Sequence, residues 1–582
     1  MILSALYDRY LRKAAAGDVP EFGFNRERVS AALLLRPGRP PRLLDLREGV
    51  KTAPRAMPVP HPGGSRTSGV RAYFLWDKTA YLLGADATAK SDLVARQHAE
   101  SRRLHQELLA GCDDDGARAV LAFFDMWRPS NVADLGESWP GMSGANLVFQ
   151  VDGDHGRYIH ERPLLRQRWL AHLGAREGAA EAFCLVSGET GPVEKVHLPL
   201  KGVDGAQTSG AALVSFNSGA WCSYGRGTDD QSLNAPVSQA VAFGYATALN
   251  DLLRRDSGQR LRIADTTIVL WAERPDTSES LMASLFAPPV GRMTADEEPG
   301  KADDPSSARR VMRVLERLRD GCPSRDLMQG LDPSVRYFIL ALAAPGRSRL
   351  AVRLWEVCRL GDLLENVGRH YEDLRIEKQW PHDPDFPPLW LLVRECAVGR
   401  EARNDPPSLG AALTRAALLG GSYPDALPAL VVGRIRADHE INTLRAAMLK
   451  AWLRRNRRTE VDVSLNEDEP NTAYRLGRLF AALERAQQLA LPNVNTGIRE
   501  RCYGAASAAP RAMFPQLLRM AQHHLAKAEH SGWLDKVIGR VVDDLNTEFP
   551  SHLTLEDQGR FALGYYHQRN AFWKKKPEAQ VP

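Results

Sequence analysis

The sequence predicts an α+β N-terminal region, built of antiparallel hairpins and helices, followed by an all-α C-terminal helical bundle. Short β-rich runs separated by Gly and Pro turns occur up to about residue 380, and only helical spacing follows the proline-rich stretch Trp380–Pro388. The length of 582 residues is enough for several domains, each with its own core. We therefore predict α+β regions at 1–275 and 306–380, a linker or long loop at 276–305, and a helical domain at 381–582.

In the N-terminal part, paired β-rich runs flank short turns and alternate with segments of helical spacing. The predicted strands are Arg28–Leu35, Arg42–Leu46, Val70–Leu75, Thr79–Leu83, Leu147–Val151, Arg157–His160, Phe183–Val186, Ala211–Phe216, Thr267–Trp271, Tyr337–Leu342 and Leu350–Trp355. The predicted helices are Leu93–Leu109, Ala117–Trp127, Ser238–Leu253, Ser306–Arg319 and Gly361–Asp373. Residues 276–305 are rich in Pro, Ser, Gly and acidic residues and lack periodicity, which indicates an exposed linker.

The C-terminal part contains only helical patterns. The predicted helices are Leu389–Ala397, Ser408–Leu419, Tyr423–Arg434, Asp438–Arg457, Thr472–Leu489, Ala509–Glu529, Trp533–Asn546 and Thr554–Lys575. Consecutive amphipathic helices joined by short loops favour a bundle.

Composition excludes several broad classes of protein but does not identify a function. The hydrophobic share is 44% and the charged share 25%, as in ordinary globular proteins. The net charge of +5 is mildly basic and does not by itself indicate nucleic acid. The seven cysteines are scattered and never form a C-x-x-C pair, so we expect reduced thiols. The N-terminus lacks the pattern of a signal peptide and no apolar run is long enough to span a membrane, which predicts a cytoplasmic protein.

The common catalytic motifs are absent from the sequence. There is no Walker loop, no G-x-S-x-G elbow and no H-E-x-x-H pair. His382-Asp383 resembles a phosphohydrolase dyad, but the flanking prolines favour a surface loop. Asp113–Asp115 fits the acidic start of a helix better than a Mg²⁺ site, and His523-His524 point to different faces of a helix. We expect no enzyme activity, no cofactor and no metal site.

The glycine-rich segment Ser215–Ser238 carries the clearest set of polar and aromatic side chains suited to binding. Its amides can pair with base edges, its aromatic rings can stack on bases, and its glycines permit a close backbone approach. The alternative is a loop whose amides satisfy its own backbone. The candidate nucleic-acid-binding residues in this segment are Asn217, Tyr224, Arg226, Gln231 and Asn234.

Two further clusters offer cations for phosphate or base contacts. Arg66, Arg71 and Lys78 lie on a predicted loop–strand unit and are candidates for contacts with duplex DNA. The second cluster is an arginine run at 454–458 in the predicted helical domain. It is a candidate for sequence-independent phosphate contacts, although such runs are more often solvated helix ends. The candidate residues in this run are Arg454, Arg455, Arg457 and Arg458.

Several segments, taken in order, resemble the large subunit of the type I-C CRISPR surveillance complex, Cascade. The resemblance extends from Met1 to Arg569, and its strength lies in the ordered set of segments, none of which is a strong motif alone. The segments are Arg71–Lys78, Leu200–Val203, Ser215–Asn250, Leu364–Asp373, Phe514–Leu518 with His523-His524, and Ala562–Arg569.

This resemblance implies a non-catalytic subunit of an RNA-guided complex. Members of the family recognise a short protospacer-adjacent motif (PAM) in duplex DNA, support R-loop formation and help to recruit a separate effector nuclease–helicase. The implied partners are CRISPR RNA, double-stranded target DNA and its displaced strand, the backbone, handle-binding and small subunits of Cascade, and that effector.

The resemblance also implies that the C-terminal helical region is made as a separate small subunit by internal translation. Met448 is the only methionine between Met328 and Met513, so a start there would give residues 448–582. A GUG or UUG codon elsewhere is the alternative start.

Two other functions remain open from the sequence alone. A metal-dependent nuclease would need a cluster of Asp, Glu and His ligands. A helical scaffold that binds only protein would form no salt-sensitive complex with DNA.

Overall fold

The predicted fold class is confirmed by a computed structural model of the chain, in which the N-terminal region carries antiparallel hairpins and helices and the C-terminal half is mostly helical. The residues that the structure describes are 1–36, 38–48, 53–61, 70–86, 90–136, 139–174, 180–227, 230–276, 279–286, 305–322, 332–492, 495–545 and 548–574.

The described residues contain both strands and helices. The strands are β1 (Phe24–Val29), β2 (Ala31–Arg36), β3 (Arg39–Asp45), β4 (Arg55–Pro60), β5 (Trp76–Lys78), β6 (Asn146–Val151), β7 (Glu181–Phe183), β8 (Thr190–Pro192), β9 (Arg260–Ile263), β10 (Thr266–Ala272), β11 (Arg336–Ala343) and β12 (Ala351–Arg359). The helices of the first two-thirds are α1 (Ile2–Ala15), α2 (Thr79–Leu82), α3 (Ser91–Leu109), α4 (Asp115–Met126), α5 (Pro163–Gly174), α6 (Gln239–Leu252), α7 (Glu279–Phe286), α8 (Pro305–Arg319) and α9 (Leu360–Leu374). The remaining helices are α10 (Leu389–Glu395), α11 (Leu409–Leu419), α12 (Leu427–Asp438), α13 (Thr443–Arg457), α14 (Thr472–Ala490), α15 (Ile498–Ala506), α16 (Pro510–Lys527), α17 (Gly532–Leu545) and α18 (Leu555–Trp573).

The chain divides into two compact units. The first unit contains residues 1–200 and 212–251, and the second contains residues 201–211 and 252–582. The core of the second unit includes residues on both sides of residue 380, from Leu261 to Tyr566. The predicted four-part division at 275, 305 and 380 stays a prediction.

The main sheet of the first unit has the strand order β3-β2-β6-β5, in which only β2 and β6 run parallel. Strand β2 is an apolar run because both of its faces are buried. Leu33 and Leu35 face the core that contains Phe124 and Phe149, whereas Ala32 faces a smaller core around Trp76. The alternation follows from the two-residue period of a strand. The pairs β1–β4 and β7–β8 form separate two-stranded antiparallel ribbons.

A buried histidine fixes the turn before β5. The N–H of Leu75, a residue with a φ of 61°, donates to Nε2 of His105 at 2.9 Å, and Nδ1 of His105 lies 2.7 Å from the carbonyl oxygen of Ser101. Nε2 must therefore accept and Nδ1 must carry the proton, which defines one neutral tautomer. Burial lowers the pKa of His105 to about 4. Because Nε2 must accept the N–H of Leu75, protonation of the ring would break this contact with the turn.

The second unit combines an antiparallel sheet of strand order β12-β11-β10-β9 with ten helices that follow it in the described chain. Helices α14 and α18 approach each other unusually closely because each has a glycine at the crossing. A Cβ atom at Gly477 would lie 2.0 Å from the carbonyl oxygen of Phe561, and one at Gly564 would lie 2.0 Å from that of Tyr474. Only glycine allows the two backbones to pack at this distance.

Most predicted elements are confirmed, and one group of errors lies around β5. The predicted strands at Val70–Leu75 and Thr79–Leu83 are wrong: only Trp76–Lys78 is a strand, and Thr79–Leu82 is the short helix α2. All four residues of α2 are buried, and a short apolar run buried on every side has no distinguishing period. The side chain of Asp77 accepts the N–H of Tyr73 at 2.8 Å and holds the preceding residues in a turn.

Other local differences concern loops and short helices. The predicted strand Arg157–His160 is wrong, because a 3₁₀ turn occupies Ile159–Glu161 and Glu161 accepts the N–H of Tyr158. Ala211–Phe216 lies outside the twelve strands, and β7 ends at Phe183. The predicted linker at 276–305 contains helix α7, and its residues 287–304 lie outside the described residues. Helices α5 and α15 were not predicted from the sequence.

Two further expectations concern the whole chain. All seven cysteines are free thiols, as the scattered spacing predicted. Across the residues that the structure describes, no helix combines the length and the apolar character needed to cross a membrane.

Candidate nucleic-acid interface

The segment Ser215–Ser238 belongs to the first unit and is mainly irregular backbone. Two short 3₁₀ turns, Gly219–Trp221 and Gln231–Asn234, interrupt it. At its end, Ser238 forms an isolated antiparallel bridge with Val193, and its N–H donates to Sγ of Cys184 at 3.3 Å. The segment is thus attached firmly at the end that leads into α6.

Asn234 takes part in the internal bonding of this segment. Its Oδ1 accepts the N–H of Ser223 at 2.6 Å, and its Nδ2 donates to the carbonyl oxygen of Gln231 at 3.3 Å. Both Gln231 and Asn234 are half-buried. This geometry agrees with the alternative interpretation of the sequence, in which loop amides satisfy the loop's own backbone. Base recognition by these two residues stays a prediction.

Tyr224 and Arg226 lie at the exposed tip of the segment. The side chain of Tyr224 is 89% exposed, and its φ of 59° is followed by a φ of 71° at Gly225. A non-glycine residue in the left-handed region costs of order 1 kcal/mol and is often associated with function. Arg226 is exposed two positions further on, and Asn217 is exposed near the start of the segment. An exposed ring beside a cation is suited to stacking on a base.

The three cations predicted near duplex DNA fall into different surroundings. Arg66 lies outside the described residues. Lys78 is exposed at the end of β5, directly before α2. Arg71 is exposed and also lines a cavity of about 230 Å³, together with Gln239 at the start of α6. The fold therefore brings Arg71 to the end of the Ser215–Ser238 segment, which no local pattern in the sequence could indicate.

In the second unit, the fold places Arg454 and Arg455 beside acidic residues of α9. Arg455 Nε donates to Asp373 Oδ2 at 2.8 Å, both side chains are 8% exposed, and the guanidinium lies 4.5 Å from the ring centroid of Tyr423. Arg454 donates to the carbonyl oxygen of Glu372 at 3.1 Å. These contacts give the two arginines a structural role that the sequence did not predict.

Arg457 and Arg458 lie on the surface of the same unit. Arg457 donates to Glu556 at 2.9 Å and its guanidinium lies 4.7 Å from the ring centroid of Trp452. Arg458 is exposed, and it forms no ion pair with any residue in the described part of the chain. Contact with a displaced strand stays a prediction for this run, and Arg458 is the member with the fewest internal contacts.

The residues considered for metal binding have other roles in the fold. Asp114 accepts the N–H of Ala117 at 3.1 Å, which confirms the predicted helix cap. Asp383 accepts the backbone N–H of Trp380 at 3.0 Å and the hydroxyl of Thr443 at 2.5 Å. Within the residues that the structure describes, no group of three or more His, Cys, Asp and Glu side chains is arranged to hold a metal ion.

Comparison with protein families assigns the chain to a known class. A family model matches residues 3–573, nearly the whole sequence, and its members are CRISPR-associated proteins. The family is described as CRISPR-associated protein (Cas_Csd1), and the chain belongs to it. A comparison with curated proteins gives no match.

Proposed function

We propose that this protein is the non-catalytic large subunit of a type I-C CRISPR RNA-guided surveillance complex. In this role it recognises the PAM in duplex DNA, supports R-loop formation and helps to recruit the effector nuclease–helicase. The observation that carries the proposal is the family match over residues 3–573, which covers both compact units. The order of the resembling segments along the chain also supports it.

The division of labour in such a complex fits the chemistry of the exposed side chains. Base pairing with the guide supplies long sequence specificity, so the protein reads only a short motif and holds an opened strand. Tyr224 can stack on an exposed base, and Arg226 and Lys78 can contact phosphates. None of these roles requires a cofactor, a metal ion or catalysis by this chain.

The proposed partners follow from the same role. They are CRISPR RNA, the target duplex and its displaced strand, the backbone, handle-binding and small subunits, and the effector. Because the guide and its target meet in the cytoplasm, we place the protein there as well. No membrane partner is proposed.

The separately translated small subunit is part of the proposal. Residues 448–582 contain the last residues of α13 and all of α14–α18. Within this range, α14 and α18 pack closely where Gly477 and Gly564 face the opposite helix. Met448 itself is buried within α13. Replacing the Met448 codon tests this assignment. The short product should then disappear from a gel, and its persistence would place the internal start at another codon.

The main experiment compares target binding by complexes reconstituted with wild-type and variant large subunits. Tyr224→Ala and Arg226→Ala should each weaken binding of a PAM-containing duplex without changing thermal stability. For Tyr224 we expect about a tenfold increase in Kd, the contribution of one stacked base. Arg103→Ala is a matched control, because Arg103 is exposed on α3 and is paired with Glu100 and Glu107.

Two results would contradict the proposal. Normal target binding by a complex that lacks this subunit would remove its role in recognition. Sustained cleavage of plasmid by the purified chain with Mg²⁺ or Mn²⁺, abolished by replacing one carboxylate, would instead indicate a nuclease. Loss of binding as salt rises is expected for a DNA-binding subunit and would not occur for a scaffold that binds only protein.

A further inference from the structure

The cavity beside Arg71 lies wholly within the first unit. It has a volume of about 230 Å³ and forms where the chain before β1, the residue after β4, the stretch 194–199 and the start of α6 meet. Drug-sized ligands occupy roughly 300–1,000 Å³. The cavity is therefore sized for a group of about one planar ring system.

Gln239 is the most informative residue of this cavity. Its side chain is only 7% exposed and lines the cavity. A carboxamide carries a hydrogen-bond donor and an acceptor side by side. On one wall of the cavity, this pair matches a ligand edge that offers an acceptor and a donor.

His197 adds a second directed polar group. Its Nδ1 lies 2.7 Å from the hydroxyl of Tyr245, and this hydroxyl has no other hydrogen-bond partner among the described residues. The buried hydroxyl therefore donates to Nδ1, which leaves the proton of the neutral ring on Nε2. Burial lowers the pKa of His197 to about 4, so the ring stays neutral at physiological pH.

The rings of Phe22, His61 and Phe243 form part of the remaining wall. Phe22 and Phe243 meet edge to face with their ring centroids 5.7 Å apart. Outside the lining, Tyr73 lies 5.1 Å from the ring of His61 and stacks on Trp76 at 4.7 Å. Flat apolar walls with a few directed polar groups favour a planar, polar-edged ligand.

We propose that this cavity binds a single unpaired nucleobase, packed against the rings of Phe22 and Phe243 and read along one edge by Gln239. A carboxamide pairs well with neighbouring donor and acceptor atoms of a base. Arg71 and Glu194, which also line the cavity, supply charges of both signs for the attached phosphate and for exocyclic amino groups. The source of the base, guide RNA or displaced DNA, rests on the proposed function, whereas the pocket itself does not.

The first test uses the purified full-length chain and single-stranded oligonucleotides. Fluorescence anisotropy compares strands that carry bases with abasic strands of the same length and charge, as RNA and as DNA. The wild type should bind the base-carrying strand about 5- to 150-fold more tightly, the range expected for stacking of one base. Gln239→Leu, which keeps the volume and removes the amide, should reduce this ratio at least threefold.

Gln106→Leu is the matched control, because Gln106 is an exposed glutamine on α3 of the same unit. For this variant, the ratio of affinities for base-carrying and abasic strands should equal that of the wild type.

The second test is photocrosslinking of the wild-type protein to strands with 4-thiouracil or 4-thiothymine, followed by peptide mapping, and it needs no variant. We expect crosslinks to peptides that contain Phe22, His61 or Phe243. The RNA and DNA arms, repeated in the assembled complex, identify the source of the base.

An unchanged ratio in folded Gln239→Leu, or crosslinks confined to peptides away from the cavity, would overturn the inference. Failure of the proposed function gives a different pattern. In that case the assembled complex would not bind its target duplex, while the isolated chain would still show the base-dependent, Gln239-dependent binding.

Discussion

The loop at Ser215–Ser238 and the arginine run at 454–458 were both predicted as nucleic-acid contacts because of the side chains they carry, but the fold treats them differently. The loop displays Tyr224 and Arg226 at an exposed tip, where Tyr224 and Gly225 have left-handed backbone. In the run, Arg455 is buried against Asp373 and lies over the ring of Tyr423. Each region therefore keeps only some of its predicted groups accessible: Asn217, Tyr224 and Arg226 in the loop, and Arg457 and Arg458 in the run.

The difference shows how a basic run can be misread from a sequence. A row of arginines at the end of a helix has the same local pattern whether it faces solvent or acidic residues from a distant helix. Asp373 lies 82 positions before Arg455, so no local signal indicates the pair. Ion pairs of this kind fix the packing of α13 on α9, and they leave only the outer members of the run at the surface.

The largest expected effect comes from breaking this buried pair. Arg455→Ala leaves the buried Asp373 with only the longer ion pair to Arg454, at 3.8 Å, so we expect a loss of about 3 kcal/mol in the free energy of unfolding. Arg458→Ala should change it by less than about 0.5 kcal/mol, as for other exposed sites. Urea denaturation measures both. If Arg455→Ala were as stable as the wild type and bound DNA less tightly, Arg455 would be a nucleic-acid contact and not a structural residue.

The second prediction compares a glycine of the loop, in the first unit, with glycines in helices of the second unit. Gly477→Ala forces a Cβ against the backbone of α18, so we expect a loss of about 1–3 kcal/mol or more from overpacking. At Gly219 in the loop a Cβ would meet nothing within 4 Å, so Gly219→Ala should be close to neutral. Gly433→Ala is a control within a helix, where an added Cβ also meets open space and higher helix propensity should stabilise by up to about 1 kcal/mol. Equal melting temperatures for Gly477→Ala and Gly433→Ala would contradict the close crossing.

The third prediction compares a buried histidine, His105, with an exposed one, His523, in the pH dependence of stability. Because burial lowers the pKa of His105 below its unfolded value, the unfolded state binds more protons between pH 6.5 and 4. The free energy of unfolding should therefore fall as pH falls through that range, by about 1.4 kcal/mol per pH unit for this group. His105→Gln should flatten the profile by that amount, and His523→Gln, at an exposed site, should leave it unchanged. An identical profile for His105→Gln would show that other groups control the acid transition.

The smallest expected effect separates two roles for Asn234. If its amide orders the loop, Asn234→Asp keeps the acceptor for the N–H of Ser223 and loses the longer bond to Gln231, so it should bind the target more tightly than Asn234→Ala. Asn234→Ala should weaken target binding by a few-fold while the fold stays intact, since a lost neutral hydrogen bond costs about 1 kcal/mol. If the amide instead reads a base, both variants should bind equally poorly. Target titrations of the reconstituted complex distinguish the two outcomes, and unchanged binding by Asn234→Ala would remove the residue from both roles.

Much of the fold could be predicted because it depends on local patterns. The hairpin at β11 and β12 and the helices from α9 onward follow from period two and period 3.6, which are properties of short windows. The errors occurred where a short apolar run is buried on all sides, as at Thr79–Leu82, because such a run fits a strand and a helix equally well. Helix α15 was missed because its N-cap, Gly497, has no side chain that could mark a helix start; the N–H of Gly497 donates to Glu500 instead.

The sequence by itself determined the order of the elements, the change from mixed to helical structure, and membership of a CRISPR-associated family, since these depend on residue order along the chain. Only the tertiary structure decided which polar groups are available. It paired Arg455 with Asp373, gave Asn234 to the backbone of its own loop, and left the amide of Gln239 in a small aromatic cavity. The physical reason is that burial and pairing depend on contacts between residues distant in sequence, and these contacts arise only when the chain has packed.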